Sequence, residues 1–278
     1  MLRSLNSAVS GIQQFQTQMD VIGNNVANVN TTGYKSARAD LADAFSDTLR
    51  YASSGRSGIQ IGEGVAVAST KSKYSQGALS QTGVQTDLAV SGEGFFIVKD
   101  SLNSQIYATR AGVFSLDSSG YLVTDSGLRV EGFTDSGLTT IGDLQIDATQ
   151  RPATADATAT MTSYSISQDG KINVCLSDGT EYTRGQVLLQ NFLNPQALIK
   201  EGGNLYSGLT AAGPIATDPA SPGTNGLGKI EAGALELSNV DLSAEFSNLI
   251  VTQRAFQANS RIITTSDEMM QELVNLKR

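Results

Sequence analysis

Both ends of this 278-residue chain carry apolar residues at helical spacing, and the N-terminal segment is otherwise nearly uncharged. That combination limits the folds open to the chain. At the N-terminal end Leu2, Leu5, Val9, Ile12, Met19, Ile22, Val26 and Val29 follow one another in steps of three, four or seven. This is the period of one apolar stripe on a helix. At the C-terminal end Leu242, Phe246, Leu249, Ile250, Phe256, Ile263, Met270, Leu273 and Leu276 form a second stripe. The face opposite the first stripe is Asn, Gln and Ser where a surface helix would show Lys and Glu. Amides and hydroxyls can be buried against a neighbour, provided each finds a hydrogen bond.

Local signals bound these helices. The first pattern stops at Asn28-Val29-Asn30-Thr31-Thr32-Gly33, a run of turn formers whose Gly suits positive φ. A second, short helix is expected over Ala37–Leu49. Ser238-Asn239-Val240-Asp241 supplies N-cap residues for the C-terminal helix, and Glu245 favours its positive end. Lys277 and Arg278 suit the negative end. Thr264–Glu268 resembles an internal capping signal, so that helix either restarts there or runs on unbroken.

Between the ends lie short runs of strand character separated by turns. Phe95-Phe96-Ile97-Val98 follows the turn Gly92-Glu93-Gly94, and Val113–Leu116 passes through Asp117–Gly120 into Tyr121-Leu122-Val123. Tyr164–Ser167 and Lys171–Leu176 alternate and end at Asp169-Gly170 and Asp178-Gly179, the strongest short-range hairpin signal. Close spacing without long intervening helices predicts antiparallel sheet. Ser53–Gly58 is expected to be a flexible stretch, Asp147–Thr162 an exposed connector, and the Pro/Gly-rich Ala211–Gly228 a second linker.

Composition excludes several functions. There is no His, so Ser–His and Cys–His catalysis and His-containing zinc sites are absent. One cysteine, Cys175, permits no internal disulfide and reads as a small strand residue. A net charge of -8 with scattered basic residues argues against nucleic acid. No apolar run is long enough for a membrane span, and the N-terminus has no signal-peptide apolar core. Gly92-Glu93-Gly94 lacks the Lys and helix of a phosphate loop, and Asp117–Gly120 lacks the acidic series of a calcium loop. No catalytic, cofactor or metal residues are assigned, and the chain is not expected to be an enzyme.

The fold class is therefore α+β: long N- and C-terminal helices forming a coiled-coil-like pair, plus a central antiparallel β-rich domain. Boundaries fall at 1–50 for the N-terminal helical segment, 51–75 for an extended linker, 76–228 for the β-rich domain and 229–278 for the C-terminal helix. A two-helix pair covers one stripe on each member. The remaining faces are either packed on the β domain of a monomer or covered by further copies of the chain, and the pattern alone leaves both open. A secreted β-rich adhesin or binding module is the alternative of another class.

The residues that discriminate are at the ends. Met19-Asp20-Val21-Ile22-Gly23-Asn24-Asn25-Val26-Ala27-Asn28-Val29-Asn30-Thr31-Thr32-Gly33-Tyr34-Lys35 closely resembles the N-terminal signature of bacterial flagellar rod and hook proteins. Gly233–Leu242, Phe246, Thr252–Arg261 and Thr264–Glu268 are similar to their C-terminal signature. Leu88-Ala89-Val90, Gly92–Phe96 and Asn204-Leu205-Tyr206 agree as well. The resemblance implies terminal helices forming an inner tube wall around a channel, a β-rich domain outside, and no cofactor. It implies a helical homopolymer as the first partner. Neighbouring rod, hook and junction proteins, an assembly cap protein and the flagellar type III export apparatus follow, with no nucleic acid and no membrane insertion. It places the chain in the hook or basal body, exported without a cleaved signal. Subunit-interface residues are then Leu5, Val9, Ile12, Met19, Asn24, Asn25, Val26 and Asn28 in the first helix. In the last they are Phe246, Leu249, Ile250, Gln253, Phe256, Ile263, Met270 and Leu273. Gln257–Arg261 and Met1–Leu5 look more like a hook subunit, whereas chain length and Tyr51–Gly64 resemble a distal rod subunit. A compact hook subunit is the first expectation and a distal rod subunit the second.

Overall fold

A computed structural model describes residues 2–51, 58–147, 150–152, 155–156, 158–216 and 218–276. Ser53–Ser57, parts of the Asp147–Thr162 connector and of the 211–228 linker, and Lys277 and Arg278 lie outside these residues.

The chain begins with α1 (Leu2–Ala27), then β1 (Ala37–Asp43), β2 (Ser46–Arg50), β3 (Ile59–Gly62), β4 (Val65–Ser72), β5 (Leu79–Gln81) and β6 (Leu88–Ser91). There follow β7 (Phe95–Lys99), β8 (Ile106–Thr109), β9 (Phe114–Leu116), β10 (Leu122–Thr124), β11 (Arg129–Phe133) and β12 (Ile141–Asp143). Next are β13 (Met161–Ile166), β14 (Lys171–Leu176), β15 (Glu181–Val187), β16 (Leu189–Gln190), β17 (Ile199–Gly202) and β18 (Leu205–Ser207). The short α2 (Leu209–Ala212) precedes β19 (Lys229–Ala232), β20 (Ala234–Glu236) and the long α3 (Leu242–Leu276). Contacts divide the chain into a helical unit, Met1–Val29, Lys35–Lys73 and Val240–Arg278, and a β unit, Asn30–Tyr34 and Tyr74–Asn239.

In the helical unit both expected terminal helices are present. Asp241 caps α3, its Oδ1 accepting from the backbone N–H of Ser243 at 2.9 Å and Ala244 at 3.2 Å. That satisfies two of the donors a helix start leaves free. The helix then runs unbroken through Thr264–Glu268. The expected short helix over Ala37–Leu49 is not there: β1 and β2 occupy it. The Ala, Leu and Asp of this stretch do not resist helix, but β4 lies antiparallel to β1 from Ala37↔Ser72 to Asp43↔Val65. The Val65, Val67 and Ser69 alternation of β4 supplies a pleated partner, and cross-strand pairing overrides the weak local preference. The stretch expected as a linker from 51 to 75 accordingly contains β3, paired with β2, and β4.

The β unit is antiparallel throughout. Its main sheet runs β13-β14-β15-β11-β7-β8-β18-β17, with β9, β10, β12 and β16 joined to it. The Asp-Gly turns sit where expected, with Gly170 at φ 78° and Gly179 at φ 80°. Alternation along β7 splits two cores. Phe96 and Val98 join Leu88, Val130, Leu122, Ile172 and Val174. Phe95 and Ile97 join Ala108, Phe192, Leu198 and Tyr206. The 211–228 segment, expected as a linker, is drawn onto this sheet by bridges from Pro214 to Phe192 and from Ala220 to Leu189. Cys175 is a half-buried strand residue on β14. No helix among the described residues is long and apolar enough to cross a membrane.

Candidate functional site

Helices α1 and α3 lie side by side within the helical unit. Asn25 Nδ2 donates to Glu245 Oε1 at 3.0 Å, and a Cβ added at Gly11 would lie 2.4 Å from Asn259 Nδ2. As the first helix advances from 11 to 25 the second retreats from 259 to 245, so the pair is antiparallel. The face of α3 turned to α1 takes only part of its apolar stripe, the half-buried Leu249, Phe256 and Ile263, and sets polar residues between them. Glu245, Thr252, Asn259 and Ser266 recur at seven-residue steps, and Thr252 and Ser266 are buried. Thr252 Oγ1 donates to Asn248 O at 2.8 Å and Ser266 Oγ to Ile262 O at 2.7 Å, so both hydroxyls are satisfied within their own helix. On α1 the buried residues are Ala8, Gly11, Ile22 and Asn25. Small side chains on both helices permit close approach.

This seam leaves the rest of the apolar stripe outside it. Phe246 is 50% exposed and Ile250 58% exposed, and Leu242, Val251, Ile262, Met269, Met270, Leu273, Val274 and Leu276 are exposed with them. The antiparallel register pairs the start of α1 with the neighbourhood of residue 268, so the last two turns of α3 extend past it. Of the residues expected at a subunit interface, Phe246, Ile250, Gln253, Met270, Leu273, Val9 and Asn24 are exposed. Leu5, Ile12, Met19, Val26, Asn28, Leu249, Phe256 and Ile263 are half-buried. Asn25 is buried, and its amide is engaged inside its own copy. Its Nδ2 also donates to Ala37 O at 2.7 Å, and its Oδ1 accepts from Ala37 N at 3.0 Å. Asn28 Nδ2 instead reaches back to Asn24 O at 2.9 Å and Asn24 Oδ1 at 2.7 Å, closing the end of α1.

Sequence reasoning missed Ala8, Gly11, Thr252, Asn259 and Ser266, since apolar periodicity does not register small or polar seam residues. The seven-residue recurrence of 245, 252, 259 and 266 was the available signal. A second exposed apolar group of the helical unit is on and beside the β2–β3 hairpin, at Phe45, Tyr51, Ile59 and Ile61. In the β unit a groove of about 700 Å³ opens beside Ile97, Ile106, Glu131, Gln190 and Phe192. Burial pushes the Glu131 carboxyl up from its ordinary value, partly offset by Lys99 Nζ at 3.8 Å. No cluster of three or more Cys, Asp or Glu suited to a metal is present among the described residues.

Both ends and the middle of the chain match known sequence families. Residues 5–35 match the profile described as "Flagella basal body rod protein". Residues 89–174 match "Flagellar hook protein FlgE/F/G D1 domain", and residues 231–276 match "Flagellar basal body rod FlgEFG protein C-terminal". Among similar proteins, the "Flagellar basal-body rod protein FlgG" of Bacillus subtilis (strain 168) is 41% identical over 284 residues, covering 100% of each chain. The protein of that name in Buchnera aphidicola subsp. Acyrthosiphon pisum (strain APS) is 37% identical, covering 99% of this chain and 100% of its own. The "Flagellar hook protein FlgE" of Borreliella burgdorferi (strain ATCC 35210 / DSM 4680 / CIP 102532 / B31) is 27% identical over an alignment of 445 residues, covering 100% of each chain. With full-length identity above 40% and family matches at both termini and in the β unit, this chain belongs to the flagellar basal-body rod and hook protein family.

Proposed function

We propose that this chain is a distal rod subunit: a structural protein that self-assembles into a tubular segment of the flagellar axis, transmitting torque and enclosing the export channel. The observation that carries the reading is the part of the α3 apolar stripe, Phe246, Ile250, Met270 and Leu273, that the intramolecular seam leaves uncovered. Fully burying a Phe or Ile side chain contributes roughly 1.5–3 kcal/mol. Phe246 and Ile250 are half exposed in one copy, so each has roughly 1 kcal/mol still to gain when a second copy covers it. Repeated along the stripe, that gain favours association. The two terminal helices then act as a coiled-coil-like pair in the wall, and further copies supply the surfaces that the pair lacks. Neighbouring rod and hook proteins, a cap and the export apparatus are the other partners of this reading.

Rod is preferred to the hook subunit that Gln257–Arg261 suggested. The support is length: the Bacillus rod relative aligns end to end over 284 residues, whereas alignment to the hook relative spreads over 445. The test uses purified full-length chain and a Phe246→Ser/Ile250→Asp variant. The wild type is expected to form straight, stiff tubes in negative-stain micrographs. The variant is expected to sediment as a folded monomer with unchanged β-sheet circular dichroism. Tubes from the variant would sink the assembly surface, and curved tubes from the wild type would restore the hook.

A further inference from the structure

The β unit exchanges chain with the helical unit through three of its segments: Asn30–Tyr34, the stretch starting at Tyr74, and the stretch ending at Asn239. Inside the β unit all three meet at the two residues of one buried ion pair, through side chain or main chain. Glu236, at the end of β20, and Arg110, just after β8, have side chains 0% and 3% exposed, with Arg110 Nη1 3.4 Å from Glu236 Oε2. Glu236 Oε1 accepts from the Gly77 N–H at 2.8 Å, and the Glu236 carbonyl accepts from the Gly33 N–H at 2.7 Å. Arg110 Nη2 donates to Gly92 O at 2.9 Å, and Gly92 N–H donates to Gln76 Oε1 at 3.0 Å. Leu237 N–H reaches Ala78 O at 2.8 Å, and Asn239 Nδ2 reaches Ser75 O at 3.1 Å.

The approach is tight as well as bonded. A Cβ at Gly33 would stand 2.5 Å from Ala111 N, and one at Gly77 2.0 Å from Leu237 O. Neither position admits another residue without moving backbone. Stability alone does not account for the ion pair. Burying two charges costs free energy that their attraction need not return, and replacement by apolar residues is often neutral or stabilising. Arg110 Nε is buried without a hydrogen-bond partner, a further cost. What the pair supplies, and an apolar pair does not, is directional bonds to separate chain segments.

We propose that Arg110 and Glu236 form a clamp that fixes the course of all three connecting segments where they leave the β unit. They are positioning residues: load carried by those segments is passed on, not absorbed by bending. The mechanical part rests on the reading of the chain as an assembling axial subunit. The local part does not.

The test uses three full-length proteins: wild type, Arg110→Met/Glu236→Leu, and Arg110→Gln/Glu236→Gln. Both variants remove the charges, but only the second keeps an acceptor for Gly77 N–H and a donor for Gly92 O. The amides of Gly33 and Leu237 are bonded to backbone carbonyls, so neither substitution deletes their acceptors. Hydrogen exchange at these amides is expected to speed up about tenfold or more in the Leu variant and to stay within about threefold of wild type in the Gln variant. Strands β14 and β15 are expected to keep their protection in both. Tubes of the Leu variant are expected to bend more than wild-type tubes, while those of the Gln variant stay as stiff. Unchanged exchange in the Leu variant, or equal acceleration in both variants, overturns the clamp. Loss of protection throughout β14 and β15 overturns it too, since the pair would then hold the whole core. Wild-type protein that forms no tubes removes the assembly reading and leaves the exchange result to decide the clamp.

Discussion

At Asn25 one carboxamide replaces a length of strand. It donates to the carbonyl of Ala37 and accepts from the N–H of the same residue, as a paired backbone would, and its second N–H reaches Glu245 on α3. Three elements are thereby fixed to each other by one side chain that is 1% exposed. The sequence placed Asn25 in an amide-rich part of the first helix, as a subunit-interface residue, but carried no mark of its inward direction, because Asn24, Asn25 and Asn28 are chemically alike. Direction came from the helix face, and the helix face depended on a seam that apolar periodicity does not detect. Glu131 is a second residue whose state is set by packing. Burial raises its folded pKa above the ordinary 4.5, so the folded chain holds that proton more tightly than the unfolded chain. Stability from this group is therefore highest below the unfolded pKa and falls as pH rises through the interval up to the folded value. Glu131→Gln is expected to raise the thermal midpoint at pH 7 and to lose that advantage near pH 4, measured by circular dichroism melts at both values.

Among the elements, the hairpin turns were the most legible, since Asp-Gly between alternating runs encodes both strands and turn within a dozen residues. The strand Ala37–Asp43 was illegible for the opposite reason. Its partner Val65–Ser72 is distant in sequence, and its own residues tolerate helix. The helices were readable as helices, yet their mutual face was not. Gly11 and Gly23 test that distinction. Both lie in the interior of α1, but Gly11 abuts Asn259, whereas a Cβ at Gly23 would meet nothing within 4 Å. Gly11→Leu is expected to destabilise the helical unit by about 1–3 kcal/mol through overpacking of the seam. Gly23→Ala is expected to stabilise it by up to about 1 kcal/mol through helix propensity. Urea unfolding followed at 222 nm on the full chain separates the two. Equal effects would mean that α1 and α3 are not in close contact.

Across the whole molecule charge is unevenly shared. The segments of the helical unit contain eleven basic and ten acidic residues, whereas those of the β unit contain eight basic and seventeen acidic. The β unit therefore carries -9 and the helical unit +1, which together make the -8. In the proposed assembly, copies brought together by apolar helix faces would carry like-charged β units with them, and that repulsion is screened over about 10 Å at 0.1 M salt. The critical concentration for assembly is expected to fall as sodium chloride rises from about 0.01 to 0.2 M, read by light scattering and sedimentation. A rise over that range would show that ion pairs between copies, not apolar contacts, hold the polymer. The seam between α1 and α3 has one more consequence. Thr252, Asn259, Ser266 and Gly11 limit the apolar area within the pair, while Phe246, Ile250 and Met270 stay exposed. A binding partner that recognises only the folded form stabilises it in proportion to the logarithm of that partner's concentration. In the proposed assembly that partner is the protein itself, so rising protein concentration would stabilise the terminal helices further. Dilution then acts in the direction of a denaturant.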